Sequence, residues 1–140
     1  MSRIDQTKTL IRLLYTGAVY FFAVALVHAL GIKIPGLFVY FNVPSHAYQD
    51  RIISFLAFGW SVFFFLAAKK METDLVKAIL GLGLIALIAL FANTVISDFE
   101  HLDVSIDRKY FLAIISVLFI YWLSLLVFSK ELFKRHTDEN

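Results

Sequence analysis

Apolar and polar residues fall into long blocks along this chain instead of alternating with the period of an amphipathic element. Four stretches, at 13–32, 52–68, 78–97 and 110–128, are continuously apolar and contain no Lys, Arg, Asp or Glu. A bilayer core about 30 Å thick takes roughly 20 helical residues at about 1.5 Å each. Three stretches reach that length. The second has 17 residues, enough to span because Arg51, Lys69 and Lys70 at its ends can extend to the headgroups. The third holds eleven Leu, Ile, Phe or Val residues, worth on the order of −3 to −7 kcal/mol for insertion before the cost of its glycines and Asn93. A soluble bundle would show a polar face at every turn, and runs of this length exceed ordinary strands. The pattern predicts an all-α, polytopic membrane protein. Its four transmembrane helices form one compact antiparallel bundle spanning 1–140 as a single domain.

Composition agrees. Of the 140 residues, 60% are hydrophobic and 17% charged, against roughly 45–50% and about 25% in a soluble domain. A net charge of +2 gives no electrostatic footprint for nucleic acid. There is no cysteine, which removes disulfides, thiolate metal sites and thiol redox chemistry. Arg3, Lys8 and Arg12 precede the first stretch as in a signal peptide, but the run is long and Val27-His28-Ala29-Leu30-Gly31 is a poor cleavage site; a retained helix is expected.

Charge placement predicts orientation. Nine basic residues lie in the N-terminal tail (Arg3, Lys8, Arg12), the second connection (Lys69, Lys70, Lys77) and the C-terminal tail (Lys130, Lys134, Arg135). Four lie on the opposite side: Lys33, Arg51, Arg108 and Lys109. The positive-inside rule places both termini in the cytoplasm, with a bacterial inner membrane as the expected location. The first outer connection is apolar around Phe38, Tyr40 and Phe41 and bracketed by Pro35 and Pro44, so no continuous helix crosses it easily. It reads as an interfacial segment, with a lid folded over the bundle mouth as the less favoured alternative.

Each helix carries a small or polar stripe. Gly17, Tyr20, Val24, His28 and Gly31 align on the first, and Ser54, Ala57 and Ser61 on the second. The third aligns Ala78, Gly81, Ala86, Ala89, Ala92, Asn93 and Ser97; the fourth, Tyr110, Ala113, Val117, Tyr121, Ser124 and Phe128. Close helix packing explains most of these. Read functionally, Tyr20, His28, Asn93, Tyr121 and Ser124 would line a ligand cavity. A proton- or cation-coupled transporter needs an acidic residue inside a span, and the four stretches offer none. Paired haem histidines, phosphate-binding loops and nucleophile elbows are also missing. One metal-binding constellation remains on the outer side, where His28, His46 and His101 accompany Asp50, Asp98, Glu100, Asp103 and Asp107. Imidazoles with carboxylates suit a divalent metal, although the spacing matches no named motif.

The layout resembles small bacterial four-helix membrane proteins of the DoxX-like kind over about residues 10–128. The resemblance rests on a first helix, a long apolar Pro-containing outer loop, Gln49-Asp50-Arg51 entering a helix with Gly59, and a small-residue third helix. The second-helix glycine pair expected of that family is missing, and no catalytic residue carries over. The resemblance implies a helper or accessory membrane protein. The sequence thus reads as a non-enzymatic accessory or interaction protein without a cofactor, in contact with the lipid bilayer and with a membrane-protein partner or further copies of itself. The alternatives are a small-molecule or divalent-metal binder with its site at the outer mouth, and a small oligomeric permease.

Overall fold

A computed structural model describes residues 3–37, 46–97 and 108–138. It contains four helices: α1 (Arg3–Leu30), α2 (Ala47–Lys70), α3 (Thr73–Ile96) and α4 (Arg108–Asp138). All four are long and apolar enough to cross a membrane. The protein is a four-helix membrane bundle.

Every helix begins before the apolar block that predicts it, because α-helical hydrogen bonding continues into the polar flanks, while α1 and α3 end one or two residues inside theirs. The extension matters most in α2, which begins five residues before 52 and so takes Asp50 and Arg51 into the helix. The expectation that no acidic residue lies within a spanning helix is therefore corrected: Asp50 belongs to the first turn of α2 and is 7% exposed. Arg51 next to it faces outward.

The helix ends follow local chemistry. Gly31, at φ +67°, closes α1. Its N–H donates to the His28 carbonyl at 3.2 Å and that of Ile32 to Val27 at 2.9 Å, the paired bonds of a Schellman cap, which favours glycine at the left-handed position. At the start of α2, the Gln49 side chain accepts from the His46 N–H at 3.4 Å. Only Met71 and Glu72 separate α2 from α3. Met71 takes the left-handed conformation, φ 54°, with its N–H donating to Ala67. So short a turn makes α2 and α3 antiparallel neighbours.

Around the bundle, α1 touches α2 and α4, and α3 touches α4 and, least extensively, α2. The main core sits at the end carrying the chain termini. There Leu10, Leu14 and Ala18 of α1 meet Phe64, Ala67 and Ala68 of α2, Val76, Ile79 and Leu80 of α3, and Leu125 of α4. Toward the other end, the second core cluster joins only Val24 and Ala25 of α1 with Ala57 of α2. Close approach of α1 to its neighbours depends on Gly17, where an added Cβ would lie 2.5 Å from both the Phe64 ring and the Tyr121 hydroxyl. Ser61 strengthens the α1–α2 contact by donating to the Ala18 carbonyl at 2.8 Å.

One stripe faces elsewhere than expected. On α3, Ala78, Gly81, Ala89 and Asn93 are exposed, whereas Val76, Ile79, Leu80, Leu87 and Thr94 are buried. Small residues permit close helix contact but do not bring a helix to them; the bulky face gains more dispersion energy against its neighbours α4 and α2.

Candidate functional site

Bordering the terminal core, with which it shares Phe64, Ile79 and Leu125, is a half-open cavity of ≈ 640 Å³ surrounded by the four helices, within the size range of small-molecule sites. Its walls are mostly apolar. Phe21, Trp60, Phe64 and Trp122 contribute aromatic surface, and Ile79, Leu87, Leu90, Leu118 and Leu125 aliphatic surface. Gly83 and Ala86 leave room on the α3 side. Phe21 stacks on Trp60 with centroids 5.7 Å apart, and Phe64 lies 6.5 Å from Tyr121.

Seven side chains with polar groups reach this wall: Thr16, Tyr20, His28, Asp50, Trp60, Tyr121 and Trp122. His28 and Asp50 form a buried pair, Nδ1 to Oδ1 3.3 Å, with side chains 8% and 10% exposed. Their positions follow from the two helix ends: His28 lies in the last turn of α1, and Asp50 in the first turn of α2. An ionised carboxylate only accepts, and opposite one Nδ1 is the donor of this contact. The acidic side chain is also favourably placed at a helix N-terminus.

Most of the other polar groups hold the wall together. Tyr121 donates to the Leu13 carbonyl at 2.8 Å and Trp122 Nε1 to the Leu80 carbonyl at 2.8 Å. Thr16 donates within its own helix to Arg12 at 2.9 Å. Tyr20 donates to the Gly36 carbonyl at 2.9 Å. Tyr20 lies ten residues from the end of α1, roughly 15 Å along the axis, so the chain after α1 turns back into the bundle. Gly36 supports that reversal at φ +85°. Leu37 lines the cavity and rests on the Val24, Ala25 and Ala57 cluster. The described beginning of this connection thus follows the lid geometry; Phe38, Tyr40, Phe41 and Pro44 lie outside the described residues.

Of the five residues expected to line a cavity, Tyr20, His28 and Tyr121 do so. Asn93 and Ser124 do not. Asn93 is on the exposed side of α3, where its amide oxygen contacts Ser97 at 3.3 Å. Ser124 donates to Ile120 of its own helix at 2.9 Å. Among the metal candidates, His28 is buried whereas His46 is exposed at the start of α2. Asp98, Glu100, His101, Asp103 and Asp107 lie outside the described residues. Among the described residues, no group of three or more His, Asp or Glu side chains is placed to hold a metal ion. The residue that sequence reasoning misplaced is Asp50, which joins His28 at the cavity instead of standing in an outer loop. Its signal was available in the spacing: Asp50 precedes Ala57 by seven residues and Ser61 by eleven, on the face that α2 buries against α1.

Comparison with protein-family models, curated proteins and solved structures found no match to this chain.

Proposed function

We propose that this bundle binds a small membrane-soluble molecule between its helices, with the His28–Asp50 pair as the polar end of the site. The observation that carries this reading is the ≈ 640 Å³ cavity with a buried ionisable pair in its wall. A bundle serving only as an anchor would gain stability by filling that volume with side chains. A buried acid–imidazole pair in a spanning protein is costly and characteristically functional. The outward apolar surface of α3, including Ile85, Ile88 and Phe91, is surface that lipid covers, so it does not of itself call for a protein partner. On the positive-inside reading, the His28–Asp50 end faces away from the cytoplasm of a bacterial inner membrane and both termini face into it. An accessory role follows naturally if the bound molecule is passed to a neighbouring membrane protein.

The test uses the two tryptophans, Trp60 and Trp122, both of which line the cavity. In lipid nanodiscs, 1-bromodecane is expected to quench their fluorescence saturably. Ala86→Phe, which places a ring into the cavity, is expected to abolish the saturable part while the protein keeps its helix content. Equal, non-saturating quenching of both proteins would refute the proposal.

A further inference from the structure

A second recess lies on the outside of the bundle, between α1 and α2, and shares no lining residue with the central cavity. It is an open groove of ≈ 330 Å³. Phe22, Leu26, Phe55 and Phe58 make it apolar, and its polar groups are Arg51 and Ser54, about one turn apart on α2. Both are without protein partners. At the same end of the bundle, Arg108 donates to the Ser97 carbonyl at 3.3 Å, and Lys33 and Lys109 also have interactions within the chain. Arg51 is exposed and makes no hydrogen bond or ion pair among the described residues. The hydroxyls of Ser61, Ser116, Ser124 and Ser129 donate to backbone carbonyls. That of Ser54, half-buried in the groove, has no acceptor among the described residues, and its oxygen is not enclosed. A hydroxyl left so is costly where water is absent.

The groove has the parts of a phospholipid in their order. Arg51 stands in the first turn of α2, at headgroup level. From there the groove follows α2 to Phe58 for roughly 10 Å toward the hydrocarbon. We propose that it seats a single anionic phospholipid, independently of what fills the central cavity. The phosphate takes the planar donor fork of Arg51, an ester oxygen accepts from Ser54, and one acyl chain runs along the aromatic and aliphatic sides. A choline head carries its own cation beside the phosphate and competes with Arg51 for it, so a glycerol head is preferred.

The experiment is native mass spectrometry of the full chain released from a neutral detergent, which resolves bound lipids one by one. Phosphatidylglycerol is the probe, and phosphatidylcholine of identical chains the comparison. The first phosphatidylglycerol is expected to bind about tenfold more tightly than the first phosphatidylcholine. Arg51→Gln is expected to remove that advantage. Ala29→Phe, which fills the groove and leaves every charge in place, is expected to weaken the first phosphatidylglycerol about threefold or more. Lys69→Gln removes an equal charge at the far end of α2 and is expected to leave the first affinity unchanged. Arg51, Ala29 and Lys69 are exposed, so all three variants are expected to keep the packing of the bundle. Equal losses from Arg51→Gln and Lys69→Gln would overturn the proposal in favour of general attraction between anionic lipid and basic side chains. An unchanged affinity in Ala29→Phe would overturn the groove as the seat of the chain. Equal binding of the two lipids to the unaltered protein would overturn the anionic head.

Discussion

The Tyr121 hydroxyl occupies the place that a side chain on Gly17 would need, 2.5 Å from the ideal Cβ position. From there it donates to the Leu13 carbonyl at 2.8 Å. One residue without a side chain therefore lets an α4 tyrosine cross α1 and lets Phe64 of α2 press against the same spot. The joint between three helices depends on that vacant position.

Gly17→Ala should destabilise the bundle by about 1–3 kcal/mol, because Phe64 is buried and cannot withdraw without leaving its own contacts. Gly81→Ala is the internal control: nothing lies within 4 Å of its added Cβ, and replacing an unconstrained helical glycine should be neutral or favourable by up to about 1 kcal/mol. Unfolding in mixed detergent, followed by circular dichroism, measures both. Equal stability of the two variants would contradict the close approach at Gly17.

Tyr20→Phe removes the bond that draws Gly36 back into the bundle. The loss of about 1 kcal/mol should raise hydrogen exchange at the Leu37 amide about fivefold, with little change in global stability. Exchange at the α2–α3 turn around Met71 should not respond. Mass-spectrometric exchange on peptides covering 31–37 reads the effect.

His28→Ala should cost about 1.5–3 kcal/mol, since it leaves the buried Asp50 carboxylate without that donor. His28→Leu combined with Asp50→Leu should cost less than the sum of the two single changes, because the pair is removed together. A double-mutant cycle returning strict additivity would mean that the 3.3 Å contact contributes no coupling.

The absence of cysteine makes topology directly measurable by single-cysteine labelling. A membrane-impermeant maleimide added to sealed membranes from the side away from the termini should modify Lys33→Cys, and should modify Lys70→Cys only after the membrane is permeabilised. The reverse pattern would invert the bundle and place the His28–Asp50 end in the cytoplasm.

Four spanning helices could be read from the chain because lipid imposes a one-dimensional rule: an uncharged apolar run of sufficient length satisfies its own backbone and inserts, whatever surrounds it. Gly17, Tyr20, Val24 and His28 were legible as one inward face for a related reason, since helical periodicity assigns residues to faces without knowledge of a partner. What the partner helix does with such a face was not legible. On α3, Ala78, Gly81, Ala89 and Asn93 turned outward while Val76, Ile79, Leu80 and Leu87 turned inward, and Asn93 and Ser124 fell away from the cavity that Tyr121 lines. The spacing of Asp50 to Ala57 and Ser61 put it on the buried face of α2, but tertiary structure alone decided that α1 brings His28 to meet it. Hydropathy measures the transfer of each residue separately, whereas the placement of a carboxylate depends on an imidazole 22 positions away, a pair interaction that no window along the sequence contains.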